Sequence, residues 1–431
     1  MRILALASEG PLTSVVKASI DKRSGMARLK PVPSLNRIRE NRSKMAIPIT
    51  YNVRNLRLRL GATMMTALGI ALTVAVAVFI MALLAGLKKA FVSSGDPLNV
   101  LVLRKGSQAE LQSGVDRESY QTIKYLPGIA KDKAGEPLAS GEVVVVIVIP
   151  RKDSSGETNV TVRGMSPTGF ELRPAIKLAE GRWFNTGQRE IVVSKSVSSR
   201  FRNAALGDEL FFGKGKWKVV GVFDAGETAA SSEIWADVNQ MASDFERSAA
   251  FSSVLVHATD SIAAQSLKNR MNDDQRLRLD AFMEPDYYGE QTKSGKPIQF
   301  VGTIVAFVMA IGSCFAAMNT MYAAVAYRSR EIATLRIVGF SRPSIITSFV
   351  IESVLLALLG AALGLILMLP FNGLTTGTAN SLTFSETVFS VRITFAVLVT
   401  AIGFAVAMGL FGGIAPAWHA SRGEILAALR D

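Results

Sequence analysis

The sequence predicts a multi-pass membrane protein: four transmembrane α-helices with a large α+β extracytoplasmic domain between the first and second. Three observations carry this. Four apolar runs, 61–86, 298–326, 345–369 and 393–414, each reach the ~20 residues that an α-helix needs to cross a ~30 Å hydrocarbon layer. A polar block, 87–297, rich in Lys, Asp, Gly and Ser, separates the first run from the second. Charged residues make up only 19% of the 431 and hydrophobic ones 49%, against about 25% charged in a soluble domain.

Taken in order, residues 1–44 are basic, rich in Pro and Ser, and lack a sustained apolar period. They read as a disordered tail or as sequence ahead of a true start at Met45, the second being preferred. Residues 45–60 form an amphipathic surface helix, with Arg54, Arg57 and Arg59 towards lipid headgroups. It feeds the first span, and 87–92 continues that helix. In the polar block, 98–103 is a strand and 116–125 a helix capped near Asp116. Segments 142–149 and 157–163 form a hairpin, and 190–193 is a short strand followed by a helix over 194–203. Segments 209–212 and 217–223 form a second hairpin. A helix over 236–247, a strand over 253–257 and a helix over 262–271 complete the block. The middle part, about 141–237, reads as a separate β-rich lobe, and 273–297 is a polar return to the membrane.

Arginine placement sets the orientation. Arg54, Arg57 and Arg59 precede the first run. Arg328, Arg330, Arg336 and Arg342 fill the link 327–344, and Arg422 and Arg430 follow the fourth run. The short loop 370–392 holds only Glu386 and Arg392. Positive charge collects on the cytoplasmic side. Both termini (415–431 being the C-terminal one) and the 327–344 link are therefore expected inside a bacterial inner membrane, with the large block in the periplasm.

Composition excludes several functions. One cysteine, Cys314, permits no intrachain disulfide. His257 and His419 are far apart and lack companion ligands, so no metal site is expected. The net charge of +13 lies beside the spans rather than in an aromatic-interleaved module, so nucleic acid is not an expected partner, whereas membrane lipid is. No catalytic or cofactor-binding constellation stands out, and Asp116, Asp224, Glu227 and Glu233 read as turn formers. The nearest string to a P-loop, GEQTKSGKP at 289–297, has one residue too many between its glycines and a proline where Ser or Thr should bind Mg²⁺.

A few residues invite roles. Arg328, Arg330, Glu331 and Arg336, with Ile332 and Leu335, make a short basic helix closed by Gly339. It could be gripped by a cytoplasmic partner, or it could simply anchor the chain in the membrane. Glu352 either lies two turns into the third span, paired with an arginine such as Arg328, or sits at the headgroup level. Asn319 suits a hydrogen bond to a neighbouring helix. Gly360 with Gly364, and Gly409 with Gly413, have the spacing that lets helices pack closely within one subunit.

The segment 318–364, MNTMYAAVAYRSREIATLRIVGFSRPSIITSFVIESVLLALLGAALG, resembles the membrane half of the MacB/FtsX/LolC family of ABC-transporter permeases. In that family an R-x-R-E-I segment, an lGfs turn, an IES opening and a glycine pair stand in this order. The ending GLFGGIAPAWHASRGEILAALR at 409–430, the first span, and LAEGRWF (178–184) and REIVVSKS (189–196) in the block resemble the family too. The likeness covers nearly everything from Met45 on. It implies a MacB-like periplasmic core domain, with Arg182, Trp183 and Phe184 in the core or rim of its lobe, followed by an FtsX-like permease domain. It further implies a dimer, of itself or with a paralogous permease, and an ATPase coupled through 327–344. The efflux member carries its ATPase ahead of the first span, where this chain has no room. ATP and Mg are therefore expected in separate cytoplasmic ABC ATPase subunits, with no cofactor in this chain. The implied mechanism is mechanotransmission: ATP hydrolysis moves the periplasmic domain to export or extract a peptide, lipidic or drug-like substrate, alone or with a periplasmic adaptor or outer-membrane partner. The alternative is an FtsX-like regulator that activates an extracytoplasmic cell-wall hydrolase, although that branch has a smaller external domain.

Overall fold

The computed structural model describes residues 17–20, 27–30, 54, 60–153, 156–380 and 383–422. The expected surface helix over 45–60 falls almost wholly outside them, as does most of 1–44. Within that stretch β1 (Lys17–Ile20) and β2 (Ala27–Lys30) pair antiparallel, where the sequence suggested no regular element. In chain order there follow α1 (Leu60–Val92), β3 (Asn99–Arg104), β4 (Val115–Asp116), α2 (Arg117–Lys124), β5 (Ala139–Pro150), β6 (Glu157–Met165), α3 (Thr168–Glu171), β7 (Lys177–Gly181), β8 (Glu190–Ser194), α4 (Lys195–Arg200), β9 (Glu209–Phe212) and β10 (Gly215–Asp224). Next come β11 (Glu233–Asp237), α5 (Val238–Asp244), β12 (Ala250–Phe251), β13 (Ser253–His257), α6 (Ser261–Asp273), β14 (Leu279–Met283), α7 (Glu284–Gln291), α8 (Lys296–Tyr327), α9 (Ser329–Val338), α10 (Arg342–Met368), β15 (Thr375–Ala379), β16 (Glu386–Ser390) and α11 (Phe395–Arg422). Among the described residues four helices, α1, α8, α10 and α11, are long and apolar enough to cross a membrane. The chain forms two compact units, one of 78–303 with 368–397, the other of the remaining described residues.

The first unit is built on a ten-stranded sheet, in the order β14-β3-β13-β5-β6-β11-β8-β10-β7 with β9 on β10. Strand β5 is the join. Its first residues, Ala139–Glu142, pair with β13, and Val143–Pro150 pair with β6. The expected separate lobe over 141–237 is therefore one end of a continuous sheet. Two cores follow from that division. Valines of β5, β6, β8 and β10 pack around Trp217 and Phe201 at one end. Val100, Val102, Val254 and Val256 pack against Leu267 and Met271 of α6 at the other. Local signals hold where a cap fixes them: Asp116 accepts from the Ser119 backbone N–H, and Ser194 accepts from Val197. The helix expected over 236–247 is wrong at its start. Residues 233–237 form β11, buried throughout, because a fully buried strand lacks the polar alternation that would separate it from a helix. The loop 370–392 holds the hairpin β15–β16, and the polar return 273–297 holds β14 and α7.

In the second unit, which holds Leu60–Ala77 of α1, small residues set close packing. A Cβ on Gly360 would lie 2.8 Å from Ile70 Cβ, and one on Gly364 would lie 2.6 Å from the Ala71 carbonyl oxygen. On Gly409 it would lie 2.9 Å from Ala357 Cβ, and on Gly413 2.6 Å from Ser353 Cβ. All four glycines thus contact helices of the same chain. Hydroxyl pairs join α1 to α8: Thr66 with Thr320 at 2.6 Å and Thr73 with Ser313 at 2.5 Å. Asn319 does not serve this purpose. It is exposed, because the helix turns Ser313, Ala317 and Met321 inward instead.

Candidate functional site

The basic segment after α8 folds as expected in outline and differs in detail. Helix α8 ends at Tyr327 and α9 starts at Ser329, with Arg328 between them in a non-helical conformation. Arg328 is buried rather than presented. Its Nη1 donates to Glu352 Oε2 at 3.1 Å and its Nε to Glu331 Oε2 at 3.1 Å, while the guanidinium lies 5.3 Å from the Phe349 ring centroid. Glu352 is itself buried, so the structure joins it to Arg328. Burying either charge alone would be costly, and the pair with its added contacts offsets that cost.

Ile332 is also internal. It packs with Met321, Val325, Ile345, Phe349, Ala417 and Ala420, which removes it from the face that a partner could grip. Leu335 and Arg336 are half-buried, and Arg336 Nη1 donates to the Ser421 carbonyl at 3.2 Å. Gly339 closes α9 in the left-handed region, at φ 111°, where a side chain would be strained. The base of α9 is thereby tied to α8, α10 and α11. Arg330 and Glu331 stay exposed on its outer face, and the apolar residues there are Ile337 and Val338, which sequence reasoning missed. A period-3.6 reading marks the stripe but cannot say which side faces the neighbouring helices. Such a face suits protein contact: a cation beside two apolar side chains on a helix with a fixed base.

The external unit holds a charge cluster that sequence reasoning also missed. Arg163 of β6 donates to Glu110 (2.7 and 2.9 Å), to Glu142 of β5 (2.7 Å) and to Glu233 of β11 (2.8 and 3.0 Å). Arg173 holds Glu142 through two bonds of 2.7 and 2.9 Å. Burial pushes the Glu142 carboxyl up, but Arg173 and Arg163 overcome it and hold the group below the usual carboxylate range. Glu233 behaves likewise through Arg163. The three carboxylates in turn outweigh burial and raise Arg163 further. Glu284, at the start of α7, goes the other way. Its burial dominates and its carboxyl is raised, although Asn99 and the Asp96 N–H donate to it at 2.8 and 2.9 Å. Glu142, Arg163 and Glu233 stand on β5, β6 and β11, adjacent strands in the middle of the sheet, so the cluster fixes these strands to one another and to the segments that carry Glu110 and Arg173. Glu233 is thus a core residue, not a turn former, and its Oε2 also accepts from Trp235.

The remaining marked residues are structural. Trp183 and Phe184 join an aromatic cluster with Phe170, Phe223 and Trp235, and Arg182 is exposed and paired with Glu190. Asp224 pairs with Lys195 at 2.7 Å. The P-loop-like string is helical, in α7, a short 3₁₀ turn and the start of α8, and forms no phosphate cradle. Among the described residues no group of His, Cys, Asp and Glu could hold a metal ion.

Comparison with known proteins agrees with this division. The MacB-like periplasmic core domain family matches residues 63–274, and the FtsX-like permease C-terminal family matches 303–425. The macrolide export ATP-binding/permease protein MacB of Pasteurella multocida (strain Pm70) is 25% identical over 384 residues, covering 85% of this chain and 57% of that protein. This chain therefore spans little more than half the length of that relative. The uncharacterized ABC transporter permease YknZ of Bacillus subtilis (strain 168) is 26% identical over 292 residues, covering 64% of this chain and 70% of that one. The crystal structure of the periplasmic region of MacB from Actinobacillus actinomycetemcomitans aligns with a TM-score of 0.34 at 13% identity, covering 44% of this chain and 90% of that one.

Proposed function

Because this chain belongs to the MacB/FtsX-type family of ABC-transporter permeases, we propose that it is a membrane subunit driven by separate cytoplasmic ATPase chains. ATP and Mg would bind those partners, and this chain would contribute no catalytic group. The observation that carries the reading is α9, with its base tied by Arg328–Glu352, Ile332 and Arg336 and its outer face offering Arg330, Ile337 and Val338. A tied base transmits a push on the outer face to the long helices instead of absorbing it. Arginine placement supports a bacterial inner-membrane location with α9 and both termini in the cytoplasm and the large block in the periplasm. Two copies, or one copy and a paralogous permease, would form the membrane unit. ATP-driven movement would pass through α8 to the external block, which would expel or extract a peptide, lipidic or drug-like cargo, with or without a periplasmic adaptor or outer-membrane partner. The macrolide-export name of the MacB relative makes drug-like cargo the first class to test.

Co-expression with candidate ABC ATPases tests the reading. The wild-type chain should co-purify with one of them, and a version with 329–338 scrambled at constant charge should not. Equal capture of both versions would reduce α9 to a membrane anchor.

A further inference from the structure

The hairpin β15–β16, between the third and fourth long helices, is gripped at five places by the 78–303 part of its own unit. Glu386 sits in it as a buried carboxylate, and its two oxygens accept separately from Arg151, at the end of β5, and Arg200, at the end of α4. The Val388 N–H donates to Ser232 Oγ at 2.7 Å, Asn159 Nδ2 to the Phe384 carbonyl at 2.7 Å, and Asn380 Nδ2 to Gln291 Oε1 of α7 at 3.2 Å. On the opposite strand side, Phe389 packs on Leu87, Ala90 and Phe91 of α1.

The segment that follows is held as well. Arg392 pairs with Glu227 at 3.3 Å, which also takes Lys89 of α1 at 2.5 Å, and the Arg392 N–H donates to the Ala82 carbonyl at 3.1 Å. The fit leaves no slack. A Cβ on Gly86 would collide with the Ser390 carbonyl oxygen, and one on Gly377 with the Glu386 carboxylate. Phe384 at the tip holds a positive φ of 53°, a conformation that a non-glycine residue adopts only under constraint.

We propose that this hairpin is a tether, with Glu386 as its positioning residue, that makes the start of α11 move as one body with the external block. The chain enters and leaves the external block through α1 and α8; the hairpin adds a non-covalent third connection. Its anchor is polar and buried, so partial withdrawal would strand a carboxylate facing two guanidiniums, which opposes gradual slippage more than an apolar contact would. The proposal rests on the permease reading for its purpose, since a moving external block is what gives a tether work to do.

Hydrogen–deuterium exchange on the full chain in lipid nanodiscs tests it. Glu386→Gln should speed exchange about tenfold or more in Thr375–Ala379, in Glu386–Ser390 and in the first turn of α11, with β3 and β13 unchanged. The pair Arg151→Glu with Arg200→Glu should do the same, and adding Glu386→Arg to that pair should restore protection. Unchanged exchange in Glu386→Gln overturns the tether. So does loosening confined to the hairpin without the first turn of α11, or loosening that the inverted triple does not reverse. Because α9 is untouched, Glu386→Gln should keep its ATPase partner. If the wild type captures no ATPase, the permease reading fails while the exchange result still decides the tether.

Discussion

Replacing Arg163 with methionine should be among the most damaging single changes in the external block. Methionine keeps a long unbranched stem and removes the charge and all five hydrogen bonds to Glu110, Glu142 and Glu233. The Arg163 side chain is only 4% exposed, so water cannot take over those bonds. Breaking a buried ion pair by removing one partner costs about 3–5 kcal/mol, and here three carboxylates lose their shared cation. A domain's whole stability is about 5–15 kcal/mol. At about 2–4 °C per kcal/mol for a block of this size, the melting temperature should fall by roughly 6–20 °C. Tryptophan fluorescence is a suitable probe, because Trp183, Trp217 and Trp235 lie in the block and Trp235 touches Glu233. The assay is a thermal melt of the full chain in nanodiscs, wild type against Arg163→Met. A drop below about 2 °C would refute the idea that the cluster holds β5, β6 and β11 together at the middle of the sheet. An all-apolar replacement of Arg163, Arg173, Glu110, Glu142 and Glu233 should cost far less than the single change, since no charge is then stranded.

Other outcomes follow from the same geometry. Glu142 and Glu233 have carboxyls held below their ordinary value of 4.5. Their stabilisation is present above that value and is lost as the pH falls through their depressed range, so melts at pH 7, 5, 4 and 3 should show loss beginning below about pH 4.5. Glu284 is raised; its contribution is present below 4.5 and is lost as the pH rises through its higher range, so Glu284→Gln should flatten the alkaline limb of the same series. Gly364→Val should destabilise the membrane unit by about 1–3 kcal/mol, read as earlier loss of monodisperse protein on heating in detergent, because its Cβ would press on the Ala71 carbonyl at 2.6 Å. Arg328→Leu should lower the yield of folded protein more than the double change with Glu352→Leu, which leaves no stranded charge; equal loss in both would argue against the pair.

The parts legible in the sequence were those with a local cause. Length and apolarity mark the four long helices, an Asp or Ser ahead of a helix marks its start, and the hairpin of β5 and β6 has turn residues between two runs rich in Val, Ile and Thr. The charge cluster had no such signal. Glu110, Glu142, Arg163 and Glu233 come from separate elements, and only the sheet order brings them together. The outer face of α9 was misread for a related reason: Arg328 and Ile332 resemble Arg330 and Ile337 in type, and only the packing of α8, α10 and α11 decides which pair is buried. The hairpin β15–β16 was missed because its Thr-rich, nearly uncharged strands read as a loop between two long helices. Its one carboxylate, Glu386, takes its meaning from Arg151 and Arg200, 235 and 186 residues away.

In the proposed permease, ATP hydrolysis in a partner would be coupled to this chain through α9. ATP turnover by the purified complex in nanodiscs, wild type against Arg330→Glu with Ile337→Asp, tests it most directly. Stable association and turnover are expected for the wild type and loss of both in the double variant, with the external-block melt unchanged. Undiminished turnover in the double variant would contradict it.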